Sequence, residues 1–163
     1  MLTLSQMLAR LIISLILGFL IGLERELVGK EAGIKTNMLV TVGATLFSLA
    51  GISLPYIIST ETGNLADIVA RNSGFLGLIA NVVVGIGFLG GGIIIKQGIH
   101  VRSVTTAAVI WFSAAIGVLC GIGLLKLAVI SAIFITFLLF ILRNIEITPL
   151  PLNKNKNSQE EDK

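Results

Sequence analysis

Five apolar runs divide the sequence, at residues 7–23, 37–58, 74–95, 104–125 and 127–142. A helix rises about 1.5 Å per residue and the hydrocarbon core of a bilayer is about 30 Å thick, so roughly 20 apolar residues cross it. In lipid each backbone polar group must be satisfied within the protein, which restricts lone apolar runs to helices. The expected fold is all-α, a polytopic transmembrane helix bundle of about five spans over residues 1–145. A disordered cytoplasmic tail is expected at 146–163, where two prolines and polar residues replace the apolar pattern. Composition points the same way: 55% of the 163 residues are hydrophobic and 13% charged, more apolar surface than a soluble chain of this length hides. The first run lacks an Ala-x-Ala cleavage pattern and is read as a retained span. Runs four and five either meet in a tight hairpin near Gly121, Gly123 and Lys126 or merge, which would change the topology.

Basic residues in short loops set the orientation. With the N-terminus outside, the cytoplasmic side receives Arg25, Lys30, Lys35, Lys96, Arg102, Arg143, Lys154, Lys156 and Lys163, and the outer side only Arg10, Arg71 and Lys126. The bias predicts N-out and C-in. These cations are scattered between apolar runs with no interleaved aromatics, which excludes a nucleic-acid stripe and leaves the lipid bilayer as their partner. One cysteine and one histidine provide neither an internal disulfide nor a metal cluster. No catalytic constellation is visible, so no enzyme, metal or cofactor is expected.

The stretch GIGFLGGGIII, residues 85–95, contains Gly85-x-Gly87-x-x-Gly90, the spacing of a dinucleotide fingerprint. A nucleotide site needs an amphipathic helix after it and an acid about 20 residues on. The following residues are apolar through Ile95, and no Asp or Glu occurs between Asp67 and Glu146. Nucleotide is therefore not expected to bind. Packing is the better reading, since membrane helices associate where small residues let backbones approach. Gly18/Gly22, Gly87/Gly91 and Ser113/Gly117/Gly121 have that spacing, and Gly85, Gly90 and Gly92 add to it. The third run is expected at the centre of the bundle, so that a bulky residue at Gly87 or Gly91 disrupts packing. A homodimer through one of these faces is a further expectation. The glycine run is either a smooth helix or a locally unwound one lining a cavity.

Polar residues in or beside spans are costly unless paired. Asn81, in mid-span, is either an interhelical hydrogen bond or a functional group. Glu24 and Glu26 flank Arg25 and point about 200° apart on a helix; they form a solvated helix end or a cytoplasmic binding site. Lys96, His100 and Arg102 precede Ser103, expected to cap the next helix, and the free N–H groups there suit lipid phosphate, a cytosolic anion or an acidic partner surface.

Four segments in this order resemble the membrane domain of the MgtC/SapB family, over residues 8–125. They are Gly18-Phe-Leu-Ile-Gly22-Leu-Glu24-Arg25-Glu26, Ala32-Gly33-Ile-Lys35-Thr36-Asn37, Gly85-Ile-Gly87-Phe88-Leu-Gly90-Gly91-Gly92 and Val101-Arg102-Ser-Val-Thr105-Thr106. Lys35-Thr36-Asn37 stands where the family has Arg-Thr-His, and Gly74-Phe75-Leu76-Gly77 where it has Asp-Pro-x-Arg. The resemblance implies a short form with the membrane domain only, in a bacterial inner membrane. It also implies a role in growth at low magnesium and in virulence, some members restraining the F-type ATP synthase. A Mg²⁺ pathway wants carboxylate ligands along the crossing, yet every acid here lies in a loop, tail or helix end. The favoured reading is a non-enzymatic module that modulates another membrane complex through its cytoplasmic face, at Glu24, Arg25, Glu26, Lys35, Thr36, Asn37, Arg102, Thr105 and Thr106. A small-solute or ion transporter, Mg²⁺ included, is the alternative.

Overall fold

A computed structural model describes residues 2–58, 74–97 and 100–143. The expected tail and the segment carrying Arg71, expected on the outer side, lie outside the described residues. Five helices account for almost all of the rest: α1 (Leu4–Leu27), α2 (Ile34–Ile58), α3 (Gly74–Ile93), α4 (Val104–Ile122) and α5 (Leu125–Leu142). Four of them contain stretches long and apolar enough to cross a membrane, and α3 has a shorter apolar stretch, Gly77–Ile93. Between α3 and α4 runs a small antiparallel ribbon, β1 (Ile95–Gln97) with β2 (His100–Arg102), in which Ile95 faces Arg102.

Local chemistry sets the helix ends. Thr3 starts α1 with a capping box: its hydroxyl accepts from the Gln6 N–H, and Gln6 Oε1 accepts from the Thr3 N–H at 3.0 Å. Gly29 ends it at φ +67°, and Lys30 N–H returns to the Arg25 carbonyl at 3.0 Å. Gly123, at φ +96°, lets Leu124 N–H reach the Leu119 carbonyl at 2.9 Å, so α4 and α5 meet in a tight hairpin and do not merge. Arg10 reinforces that turn by donating to the Gly121 carbonyl at 2.6 Å. The glycine run stays helical throughout α3, which decides for the smooth helix over the unwound one.

Helix α2 is the central strut, held between α1 and α4 by glycines. A Cβ on Gly18 would lie 2.9 Å from the Asn37 carbonyl oxygen and from Met38 Cα, and one on Gly22 would lie 2.6 Å from Ile34 Cα. On the other side, a Cβ on Gly117 would overlap the Thr41 carbonyl and one on Gly121 would overlap Ser48 Cβ. These four glycines do what small-xxx-small spacing suggests, letting backbones touch where dispersion is the main attraction. Helix α5 closes the apolar core, bringing Ala128, Ala132 and Leu139 against Leu17, Ile21, Ile116 and Cys120.

Helix α3 departs from the expectation of a central third run. It packs at the edge, touching α4 through Gly90, whose added Cβ would sit 3.4 Å from Ala107 Cβ. Among the described residues nothing lies within 4 Å of a Cβ built on Gly85, Gly87, Gly91 or Gly92. A bulky residue at Gly87 or Gly91 therefore has room within the single chain. The centre went to α2, whose small and hydroxylated residues let α1 and α4 approach closely on both sides.

Candidate functional site

The end of the bundle where α1 finishes, α2 and α4 start and the ribbon sits gathers most residues singled out from the sequence. Glu24 and Arg25 form an ion pair through Glu24 Oε2, with both side chains buried. Neighbours on a helix do not normally face one another, so Arg25 folds back at the helix end to make it. Glu24 Oε1 is buried with no hydrogen-bond partner among the described residues. Glu26, on the exposed side, accepts from the Ile34 N–H at 3.0 Å and so caps the start of α2. The two acids do separate as helical geometry requires, one into the protein and one onto the next helix.

Asn37 is fully buried and acts as a brace. Its amide donates to the carbonyls of Ala32 and Gly33 at 3.0 and 2.9 Å, and its oxygen accepts from Ser113 at 2.7 Å, tying α2 to α4. Below it runs a buried stripe of hydroxyls on α2. Thr41 donates to the Asn37 carbonyl, Thr45 to Thr41 and Gly117, and Ser48 to Ala44, at 2.7–2.9 Å. Each hydroxyl is satisfied by a carbonyl one turn earlier, so the stripe is a packed seam without the open oxygen ligands a cation path requires.

Ser103 does not cap α4 as expected. It takes the left-handed conformation, φ 66°, with no side-chain cap bond. Instead Ser103 and Thr106 donate to the carboxylate of Glu31, at 2.9 and 3.3 Å. The anion that suits this helix start is supplied by the chain itself. Its own backbone N–H, then the Ser103 hydroxyl, hold the Glu31 carboxyl below its ordinary 4.5. Around this cluster Lys35, Arg102 and Thr105 are exposed, Thr36 is half-buried and Thr106 buried. They share one end of the molecule. Among the described residues no group of three His, Cys, Asp or Glu side chains is placed to hold a metal.

A second feature lies on α3. At about 100° per residue, Gly87, Gly91, Val84, Phe88, Asn81, Gly92 and Gly85 fall in one arc, and all are exposed. Phe88 is 86% and Val84 71% exposed. Beside this arc is a groove of about 390 Å³ between α2 and α3, walled by Leu39, Gly43, Phe47, Asn81 and Gly85. The sequence pointed to the glycines and to Asn81, but not to their exposure, which depends on which helix takes the centre. It gave no sign of Glu31, whose partners are 72 and 75 positions away.

A family model described as the MgtC family matches residues 11–147. Among similar proteins, Protein MgtC of Brucella abortus is 42% identical over 120 residues, 74% of this chain and 44% of that protein. Protein MgtC of Salmonella typhimurium is 38% identical over 145 residues, 88% of this chain and 56% of that protein. A Synechocystis protein is 37% identical over 146 residues, 90% of this chain and 54% of its own. The chain thus spans about half the length of the curated relatives it matches. No solved structure matches.

Proposed function

Because this chain belongs to the MgtC family of membrane proteins, we propose that it is a non-enzymatic module that binds and modulates another complex in a bacterial inner membrane. The observation carrying this reading is the exposed arc of α3. Gly18, Gly22, Gly117 and Gly121 are used for close helix contact, whereas a Cβ on Gly85, Gly87, Gly91 or Gly92 would have no neighbour within 4 Å among the described residues. A membrane helix with a glycine-flanked ridge of Val84, Phe88 and Asn81 is shaped to receive a second transmembrane helix. The Asn81 amide adds a reason: in lipid it gains by pairing, with an interhelical hydrogen bond contributing about 0.6 kcal/mol on average. The exposed cations Lys35 and Arg102 at the ribbon end suit an acidic partner surface beside the membrane. The family resemblance makes the F-type ATP synthase, under low magnesium or other stress, the first complex to look for.

A photo-crosslinking residue at Val84 or Phe88 tests this in native membranes. The expected result is one dominant adduct with another membrane protein, lost in Gly87→Leu and in Asn81→Leu while the variants stay folded. Adducts with lipid only would refute it, and adducts only between copies would replace it by a homodimer. The transport alternative is weakened by the closed hydroxyl seam of α2, and solute flux in proteoliposomes abolished by Asn81→Leu would restore it.

A further inference from the structure

On the side of the bundle away from α3, α1 and α5 diverge and leave a groove of about 480 Å³, lined by Leu23, Glu24, Ile133, Phe137, Phe140 and Arg143 among others. Its walls are apolar, apart from Thr136 whose hydroxyl donates to the Ala132 carbonyl at 2.8 Å, up to the end where both helices finish. There it reaches Glu24, a side chain 6% exposed, and Arg143, whose guanidinium stacks 4.5 Å over the Phe140 ring. Glu24 is only half satisfied. Arg25 takes Oε2, while Oε1 is buried without a donor among the described residues. A buried carboxylate oxygen without a donor is unfavourable, so an ordered water or the N–H of a bound group gains by reaching it.

Three features define that group. It donates N–H to Oε1, it presents an anion to Arg143, and it carries an apolar chain along Leu23, Ile133 and Phe137. We propose that the groove between α1 and α5 binds a phospholipid with a primary-amine headgroup, its ammonium on Glu24, its phosphate against Arg143 and an acyl chain between the helices. A primary ammonium offers three donors. A choline headgroup has the same charge but no N–H, and a glycerol headgroup has hydroxyls but no cation. The volume is in the range of ordinary small-ligand sites, roughly 300–1,000 Å³. This site is independent of the α3 surface, and neither reading needs the other.

The protein in nanodiscs of phosphatidylethanolamine, phosphatidylcholine and phosphatidylglycerol, equimolar with matched chains, is released and weighed by native mass spectrometry. Retained phosphatidylethanolamine is expected to exceed phosphatidylcholine about tenfold, the ratio that one hydrogen bond to a charged group supplies. Glu24→Gln brings the two toward parity. Arg143→Gln, at an exposed helix end, lowers retention of all three and leaves their ratio, because the phosphate is common to them. If Glu24→Gln does not fold, Ile133→Trp fills the groove from its exposed side and removes the preference. Parity in the unaltered protein, a preference for phosphatidylglycerol, or a preference that survives Ile133→Trp would each overturn the proposal. Soluble phosphoethanolamine at millimolar concentration is expected to leave the lipid bound, and displacement by it would make the site one for a free amine.

Discussion

Replacing Gly117 by alanine adds one methyl group where α4 crosses α2. That methyl would overlap the Thr41 carbonyl and lie 2.8 Å from Ala44 Cβ. The first obstacle is backbone, which no rotamer change can move, so the two helices must separate. Overpacking of this kind costs about 1–3 kcal/mol. Separation also stretches the bond from Thr45 to the Gly117 carbonyl, now 2.9 Å, which at the average for membrane proteins adds about 0.6 kcal/mol. Helix propensity returns less than about 1 kcal/mol for the loss of a glycine. The net expectation is a loss of roughly 2 kcal/mol, a factor of about 30 in the folding equilibrium. Gly91→Ala makes the same chemical change in open space and should be neutral or slightly stabilising. Reversible unfolding by SDS in mixed micelles, followed through Trp111 fluorescence, compares the two. Equal losses, or an undiminished Gly117→Ala, would refute the assignment of α2 as the clamped strut and α3 as the free edge.

Asn37→Ala removes the brace between α2 and α4 and leaves Ser113 unpaired; the same titration should show a loss of about 1–3 kcal/mol. Arg10→Gln gives up a charged hydrogen bond to the Gly121 carbonyl; because Arg10 is half exposed, about 1 kcal/mol is expected, seen as a lower midpoint with an unchanged slope. The folded pKa of Glu31 is depressed, so its contribution is present above the ordinary 4.5 and is lost as pH falls through the folded value. Glu31→Gln should therefore flatten the fall in stability below pH 4.5, and a midpoint that declines as steeply as in the unaltered protein would contradict the Ser103 and Thr106 contacts.

The five helices were legible because lipid leaves apolar runs no other stable form, while hairpin and merger stayed open between α4 and α5 until the left-handed Gly123 decided for the hairpin. Gly18, Gly22, Gly117 and Gly121 were legible as contact residues from their four-residue spacing alone. At Gly87 and Gly91 the same spacing marks a face that meets no described neighbour within the chain. Periodicity states that a face is smooth, while the choice of central helix depends on α2, where Thr41, Thr45 and Ser48 pack closely by satisfying their hydroxyls on their own backbone. Glu24 was marked as one of two acids, but its unequal oxygens arise from Arg25 folding back and from the position of α5. Ser103 was misread because a serine before an apolar run usually caps it, and only the tertiary approach of Glu31 supplies a different use for its hydroxyl.

Glu31 also bears on what the ribbon end can recognise. The Glu31 carboxylate, set by the fold against the Ser103 and Thr106 hydroxyls, stands at the start of α4 as a built-in competitor for an incoming anion. A weakly bound singly charged anion in solution gains little by displacing it. Discrimination at this helix start thus favours ligands with more charge, or a surface presenting several acids at once, and it sharpens as the carboxylate stays ionised.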